Sequence, residues 1–278
     1  MVNDELGQRM KKFYETIPKT RLMRRCPVAI RLDGKAFHTF TRGFQKPFDE
    51  ILVKAMQETM LYLCENIQGC VFGYTQSDEI TLILVDYQTF KTDAWFDYEV
   101  QKMCSISASM ATLAFNKFFN KSLNDWGKKT FDWWDMGGTY NPVDPDLLSQ
   151  LQTYNAALEK GAMFDARVFN IPKEEVTNLV YWRQLDATRN SIQMVGQANF
   201  SHKELQNKSC NDIQDMLMNQ KGINWNDFPP YLKRGSACKK VAMGNEGNAA
   251  AAWMVDLAMP ILKGEDRKYV DDLIYIGE

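Results

Sequence analysis

The sequence has few of the residues that build disulfide frameworks or histidine-based metal sites. Its 278 residues include six cysteines and two histidines, His38 and His202. No two cysteines form a C-x-x-C pair, which excludes the common zinc knuckle and the thioredoxin motif, so we expect free thiols. With only two histidines, a histidine-rich metal centre is not expected either.

Long apolar runs are also missing. No stretch reaches the roughly 18–20 residues that a membrane span needs. Residues 1–16 are charged and lack the apolar core of a secretory signal. We therefore expect a cytoplasmic protein without a membrane partner. The composition, 45% hydrophobic and 24% charged, is that of an ordinary globular chain with a substantial core.

A strong excess of either charge is absent as well, since the net charge is −2. Any contact with RNA must therefore use local basic patches instead of the overall charge. Candidate basic residues precede the first predicted strand or lie in the C-terminal third: Arg24, Arg25, Lys233 and Arg234. Each cluster by itself is more typical of a solvated surface.

Hydrophobic periodicity predicts alternating strands and helices. Strands are predicted over 27–32, 70–76, 79–85 and 163–171, and helices over 4–15, 48–68, 97–119 and 174–197. Only Ser77 and Asp78 separate the second and third strands, which predicts a tight hairpin. The order strand, helix, strand, strand, helix, strand predicts an α+β, ferredoxin-like fold, with an antiparallel sheet and both helices on one face.

The remaining segments define the predicted domain organisation. Residues 1–200 are predicted to form one palm-like domain, interrupted at about 121–160 by an insertion rich in Trp, Gly, Asn and Asp. We expect loop character there, with Trp133 and Trp134 either at an interface or packed within the insertion. Residues 201–278 form a C-terminal extension that packs on the palm and contains a Gly/Asn-rich stretch at 244–248.

Two aspartates lie where this topology brings strands together. Asp33 ends the first strand, and Asp78 lies in the hairpin turn beside Glu79. The first and third strands are neighbours in this fold, so both carboxylates should project from one edge. Either aspartate alone is more typical of a structural role, because aspartate side chains often hydrogen-bond the backbone of a tight turn. Together they favour two Mg²⁺ ions and phosphoryl transfer, as in a polymerase palm, with the Gly34 carbonyl as a further oxygen ligand.

Phosphate contacts are expected close to these aspartates. Residues 34–38 (GKAFH) turn directly after the first strand, and their amides are placed to cradle a triphosphate. His38 is equally consistent with a phosphate contact and with a packed histidine. Lys102, on the second predicted helix, either reaches the same edge or extends its ammonium to solvent.

Six blocks of the sequence resemble the tRNA-histidine guanylyltransferase family, in the order found in that family, and residues 4–15 are similar to the N-terminal helix of its bacterial and archaeal members. The blocks are RLDGKAFHTFTRGFQKPFD (31–49), FGYTQSDEITLIL (72–84), KMCSISASMATLAFN (102–116), FDARVFNIP (164–172), YWRQLDATRNS (181–191) and GINWNDFPPYLKRG (222–235).

The resemblance implies addition of nucleotides to the 5′ end of tRNA in the 3′–5′ direction. A 5′-monophosphate is activated with ATP or GTP, and the 3′-hydroxyl of an incoming NTP then attacks the activated phosphate. Two Mg²⁺ ions serve both steps. The family's metal ligands correspond to Asp33, the Gly34 carbonyl and Asp78, and its adjacent acidic residue corresponds to Glu79. The resemblance also suggests a homotetramer.

It further implies which residues contact the nucleotide. The triphosphate contacts correspond to Gly34, Lys35, Ala36, Phe37, His38, Ser77 and Lys102. Lys46 and Asp49, in the KPFD block, correspond to polar positions near the nucleotide.

One departure from the family pattern concerns the substrate. Eukaryotic members have an H-I-N-N-L-Y-N motif after the W-R-Q-x-D block, whereas residues 188–194 here are TRNSIQM. Thr188 replaces the histidine, and only Asn190 is clearly retained. This favours templated repair of 5′-truncated tRNA over untemplated addition of G to tRNA-histidine. Arg189 and Asn190 are further candidates for RNA binding, and a structural role for Arg189 is about equally expected.

Two other functions stay open on the residues alone. A palm-type nucleotidyl cyclase would use the same two-metal mechanism, although the sequence has no G-G-D-E-F turn. A non-enzymatic RNA-binding domain has the same order of strands and helices, but it would need stacking aromatic residues where Asp33 and Asp78 stand.

Overall fold

The computed structural model describes residues 4–131, 145–243 and 250–276. A six-stranded sheet has the order β4-β1-β3-β2-β5-β6, and every neighbouring pair is antiparallel. Its strands are β1 (Val28–Gly34), β2 (Cys70–Gln76), β3 (Glu79–Leu84), β4 (Phe164–Asn170), β5 (Ser236–Met243) and β6 (Ala250–Asp256). The predicted α+β, ferredoxin-like arrangement is confirmed, and β5 and β6 extend the sheet beyond β2.

Helices flank the sheet and build its edges. They are α1 (Glu5–Met10), α2 (Phe37–Phe40), α3 (Glu50–Asn66), α4 (Val100–Phe131), α5 (Pro145–Lys160), α6 (Lys173–Asn199), α7 (His202–Leu205), α8 (Cys210–Met216), α9 (Pro230–Arg234) and α10 (Lys268–Ile274). The predicted helices at 48–68, 97–119 and 174–197 correspond to α3, α4 and α6. The predicted helix at 4–15 comprises α1 and a π-helical turn, Lys11–Glu15.

Alternation along β1 divides its side chains between two cores. Val28, Ile30 and Leu32 pack against α3 and α4, which lie on one face as predicted. Ala29 points to the other face, where apolar residues of α6 and α10, such as Val180, cover the sheet. Helices therefore lie on both faces of the sheet, because α6 and α10 add a layer outside the ferredoxin-like unit.

The insertion is more helical than its composition predicts. Helix α4 continues to Phe131 and α5 begins at Pro145, so the expected loop character is wrong for 121–131 and 145–160. Tyr154 of α5 is buried, with its ring 4.9 Å from Phe44 and 5.6 Å from Trp126. Burial of these aromatic rings stabilises helices in a segment rich in loop residues. The remainder, 132–144 with Trp133 and Trp134, lies outside the described residues.

The C-terminal extension packs on the palm in two ways. Strand β5 pairs with β2, placing Cys238 opposite Gly73. Residues 200–228 pack on the second half of α6, where Val195, Ile213 and Leu217 belong to a third apolar cluster. The Gly/Asn-rich stretch predicted at 244–248 lies outside the described residues. The boundary at residue 200 stays a prediction.

Candidate active site

The end of β1 and the β2–β3 turn meet at one edge of the sheet. In the β1–β3 register Asp33 lies opposite Glu79, and the Gly34 amide donates a hydrogen bond to the Asp78 carbonyl at 3.1 Å. The tight hairpin is formed as expected, with Gln76 opposite Glu79 and Ser77 in the left-handed region at φ 51°. The topology therefore brings Asp33, Gly34 and Asp78 together.

The electrostatics of this edge suit a cation. Burial raises the pKa of Asp78, and the charges of Asp33 and Glu79 add to this effect. Hydrogen bonds that include one donated by the Ser77 hydroxyl to the Asp78 carboxylate, at 3.0 Å, act in the opposite direction. Within 4–131, 145–243 and 250–276, neither Asp33 nor Asp78 forms a salt bridge.

The carboxylates at this edge therefore fit a hard divalent ion, with carboxylate and carbonyl oxygens as ligands. Among the residues that the structure describes, no group of three or more His, Cys, Asp or Glu side chains converges as a complete metal site. Water and substrate phosphate would have to complete the coordination, as is usual for Mg²⁺. The two-ion assignment stays a prediction.

Glu79 is held differently from the two aspartates. Its carboxylate forms a salt bridge with Arg183 at 2.5 Å and accepts hydrogen bonds from Arg31 at 3.3 Å and from the Gln76 amide at 3.3 Å. Two cationic partners therefore balance its charge, whereas Asp78 has a hydroxyl partner. The predicted catalytic role of Glu79 stays a prediction, and direct coordination by Glu79 would require it to exchange these partners.

A cleft of about 490 Å³ opens beside this edge. Eight predicted site residues line it: Gly34, Ala36, Phe37, His38, Lys46, Asp49, Ser77 and Asp78. Thr41, Phe44, Gln45, Pro47, Leu52, Met194 and Gln197 complete its wall, and the sequence reasoning did not assign them to the site. The last two come from α6, whose sequence pattern predicts a helix but not which cleft it borders.

The turn after β1 has a tightly constrained backbone. A Cβ atom on Gly34 would lie 2.2 Å from the Phe37 ring, so close approach of this ring explains the glycine. Ala36 lies in the left-handed region at φ 54°, immediately before the short helix α2. Such conformations cost of the order of 1–3 kcal/mol and persist where the surrounding structure enforces them. Here the buried Phe37 side chain supplies that support.

Lys35 and Lys102 lie away from the described wall of the cleft. The Lys35 amide donates to the Met163 carbonyl at 2.9 Å, so this N–H is already paired, and its side chain is exposed. Lys102 lies in the first turn of α4 and is exposed, with its ammonium 5.8 Å from the centre of the Phe96 ring. Their predicted triphosphate contacts stay predictions.

Asp49 combines a structural role with its place in the cleft. It caps α3, since its carboxylate accepts from the Leu52 amide at 2.9 Å. The same carboxylate accepts from the Gln45 amide at 3.1 Å and from the Tyr154 hydroxyl at 2.5 Å. Asp49 therefore fixes the Gln45–Lys46 wall against the core.

The candidate RNA-binding arginines near β1 have partners within the protein. The Arg24 guanidinium donates to Asp86 at 2.6 Å and to Asp97 at 3.1 Å. The hydrogen bond to Asp86 is the main cause that raises the pKa of Arg24. The Arg25 side chain is exposed, and its amide donates to Asp86 at 2.8 Å.

The remaining RNA candidates are also partly engaged. Arg189 pairs with Asp186 on the same helix, and Asn190 lies on the wall of a small cavity next to Ser77. The Lys233 ammonium donates to the Asn226 carbonyl at 2.5 Å. The Arg234 carbonyl accepts from the Tyr74 hydroxyl at 2.7 Å. RNA binding by any of these residues stays a prediction.

Arg183 is a further residue near the site that sequence reasoning missed. It belongs to the YWRQLD block of α6, is almost fully buried, and bridges Glu79 and Asp186. A buried arginine needs anionic partners, but the sequence does not indicate which carboxylate lies opposite it.

Comparisons with known proteins agree with this site. A family model described as tRNAHis guanylyltransferase matches residues 7–172. A bacterial tRNA(His) guanylyltransferase-like protein solved in complex with ATP is 39% identical, with a TM-score of 0.76, over 98% of this chain and 100% of that chain. A similar structure in complex with GTP is 36% identical, with a TM-score of 0.75 and the same coverage.

More distant relatives have the same family name. The tRNA(His) guanylyltransferase of Saccharomyces cerevisiae is 24% identical over 229 residues, which cover 77% of this chain and 83% of that protein. In the part of the chain that the structure describes, no helix is long and apolar enough to cross a membrane. The sheet, the cleft and the match over residues 7–172 together show that the chain belongs to the tRNAHis guanylyltransferase family, a family of nucleotidyltransferases.

Proposed function

We propose that this protein adds nucleotides to the 5′ end of tRNA in the 3′–5′ direction by two-metal nucleotidyl transfer. The observation that supports this most is the meeting of Asp33 and Asp78 beside a cleft of nucleotide size, with no salt-bridge partner for either among the described residues. Two Mg²⁺ ions held there would neutralise the attacking and leaving oxygens of the transfer.

The reaction has two transfers. In the first, an oxygen of the RNA 5′-monophosphate attacks the α-phosphorus of ATP or GTP, and pyrophosphate leaves. In the second, the 3′-hydroxyl of an incoming NTP attacks the activated 5′ phosphorus, forms a phosphodiester, and releases the activating nucleotide as a monophosphate. The protein's part is to orient the reactants: the cleft-lining residues of the 34–38 turn, with Ser77 and Lys46, would border the phosphates, and Asp33 and Asp78 would hold the ions.

The preferred substrate is a 5′-truncated tRNA repaired against its own template. This choice rests on Thr188, which replaces the histidine of the eukaryotic motif, and on the 39% identity to a bacterial guanylyltransferase-like protein. Arg189 pairs with Asp186 and Asn190 borders Ser77, so this part of α6 lies beside the active-site turn. Untemplated addition of G to tRNA-histidine is the alternative.

The decisive experiment uses a labelled 5′-truncated tRNA with each NTP. Asp33→Ala and Asp78→Ala should each lower extension by a factor of about 10²–10³, since loss of a group that stabilises transition-state charge costs about 3–4 kcal/mol. Asp125→Ala is the matched control: this aspartate pairs with Lys54 at 3.5 Å on the α3–α4 surface and should leave extension unchanged.

Three outcomes would count against the proposal. Near-normal extension by folded Asp33→Ala or Asp78→Ala at millimolar Mg²⁺ would refute the metal assignment. Addition of G to intact tRNA-histidine at a higher rate than templated repair would refute the substrate assignment. A cyclic nucleotide formed from NTP alone, without RNA extension, would identify a cyclase.

We also propose that the enzyme is a cytoplasmic homotetramer. The support is an apolar stripe on the N-terminal helical segment, where Leu6, Phe13 and Tyr14 are each more than half exposed. Contiguous apolar surface of this kind marks interaction sites, and we assign this one to contact with other copies of the chain. Light scattering should give four times the mass of 32.1 kDa, and a monomeric mass would refute this part.

A further inference from the structure

We propose that Arg183 is a positioning residue that holds Glu79 away from the divalent ions and locks the Asp78 turn against α6. This inference rests on the proposed two-metal function. Arg183 touches neither the cleft wall nor, in this structure, Asp33 or Asp78. Its effect would therefore pass through Glu79.

The need for such a residue follows from the register of the sheet. Asp33 and Glu79 face each other across β1 and β3, and Asp78 adjoins both. Like charges directly opposite each other in an antiparallel pair are destabilising. If Glu79 were free, its carboxylate would repel Asp33 and compete with it for the cations.

The arrangement of charges removes Glu79 from this competition. The Arg183 Nη2 atom lies 2.5 Å from Glu79 and 2.7 Å from Asp186, and the Arg183 side chain is only 5% exposed. Arg31 adds a longer contact to Glu79, at 3.3 Å, from a more exposed position. A close ion pair between a buried guanidinium and a carboxylate that is only 19% exposed restricts the positions of both side chains. Arg183 is therefore the principal partner of Glu79.

Arg183 also connects two walls of the site. It belongs to α6, which reaches the cleft eleven residues later at Met194, about 16 Å along the helix axis. The Arg183–Glu79 contact thus ties the hairpin that presents Asp78 to the helix that closes the cleft. The Trp182 ring, whose centre lies 4.5 Å from the Arg183 guanidinium and 5.2 Å from that of Arg31, supports both arginines.

The test measures Mn²⁺ binding by the full chain with electron paramagnetic resonance. This measurement is informative because Arg183→Met could change the affinity for Mn²⁺ in two ways, which have opposite signs. Loss of a positive charge near a cation site would by itself tighten Mn²⁺ binding. Loss of positioning should weaken it about 10- to 100-fold, as is typical when a group that orients metal ligands is removed. We expect the weakening, together with a higher Mg²⁺ requirement for tRNA extension.

A double-mutant cycle shows whether the effect passes through Glu79. Glu79→Gln with Arg183→Met should bind Mn²⁺ no more weakly than Glu79→Gln alone. Arg267→Met is the matched control, since Arg267 also joins α6 to another element, donating to the Asn178 side chain at 2.7 Å, but does so five residues before Arg183, about 7.5 Å along the helix axis and on the side away from Met194. It should leave Mn²⁺ binding and extension unchanged.

Folding is checked by circular dichroism. If Arg183→Met does not give the wild-type spectrum, Mn²⁺ binding is measured on Arg183→Lys instead. That variant keeps the positive charge, but its single ammonium cannot reproduce the planar guanidinium contacts, so we expect weaker Mn²⁺ binding here too. Wild-type or tighter Mn²⁺ binding by the folded variant, or additive losses in the cycle, would overturn the role of Arg183 while leaving the proposed function intact. Failure of the wild-type protein itself to bind Mn²⁺ would overturn both.

Discussion

Replacing Asp49 with alanine should both destabilise the protein and loosen the nucleotide cleft. Asp49 is 5% exposed, and its carboxylate accepts three hydrogen bonds, from the Leu52 amide, the Gln45 amide and the Tyr154 hydroxyl. Burial, and then the hydrogen bond to Asp49, raise the pKa of Tyr154, so this hydroxyl is a donor at neutral pH. Asp49→Ala removes the carboxylate that accepts all three hydrogen bonds.

The expected loss follows from these three bonds. Removal of the helix cap costs about 1 kcal/mol. The bond to Tyr154 involves a charged acceptor, for which about 1.5–3 kcal/mol is typical, and the amide of Gln45 adds about 1 kcal/mol. The bonds share one carboxylate and are not fully additive, so about 3 kcal/mol is a reasonable expectation. For a chain of this size that corresponds to a decrease in Tm of about 6–12 °C.

Thermal unfolding followed by circular dichroism measures this loss, and Tyr154→Phe is the control. That variant removes one donor while the cap and the Gln45 contact remain, so its Tm should fall less than that of Asp49→Ala. Calorimetric GTP binding should stay close to wild type in Tyr154→Phe and weaken in Asp49→Ala. A Tm of Asp49→Ala within 2 °C of wild type, on the scale expected for a surface change, would refute this reasoning.

Two further predictions concern other positions. Gly34→Ala places a Cβ 2.2 Å from the Phe37 ring and should cost about 1–3 kcal/mol in unfolding free energy, with weaker GTP binding, whereas Gly127→Ala, which meets nothing within 4 Å, should stabilise α4 slightly. Equal Tm values for the two variants would contradict this contrast. Hydrogen bonds from the Ser201 hydroxyl and amide lower the pKa of Glu204. Its stabilising effect is present at neutral pH and is lost as pH falls through the lowered pKa. Glu204→Gln should therefore speed amide exchange in α7 at pH 7 and have a progressively smaller effect as the pH falls, and an effect that does not diminish at acid pH would contradict it.

Local patterns were sufficient to predict much of the fold. The alternation in β1 to β3 and the two-residue separation at Ser77-Asp78 specified strands and a hairpin, because strand period and turn length depend on neighbours in the chain. Helices α3 and α6 followed from their apolar periodicity. The insertion was misjudged because the packing of Tyr154 against Phe44, over a hundred residues earlier, outweighs its loop-like composition.

The candidate site, like the fold, was predictable from the sequence only in part. The acidic edge was predictable, since Asp33 and Asp78 lie at strand ends whose pairing the topology dictates. The partners of charged side chains were not. The fold places Asp86 and Asp97 beside Arg24, a candidate RNA contact, and local sequence does not indicate either partner.

The sequence by itself determined a palm-like sheet, an acidic edge beside the 34–38 turn and, through its ordered blocks, the family. Only the tertiary structure decided that Glu79 is bound by Arg183 while Asp78 is not, and that α6 completes the cleft. The physical reason is that secondary structure depends on local spacing, whereas an ion pair depends on the final distance between groups 104 residues apart in the chain (183 − 79).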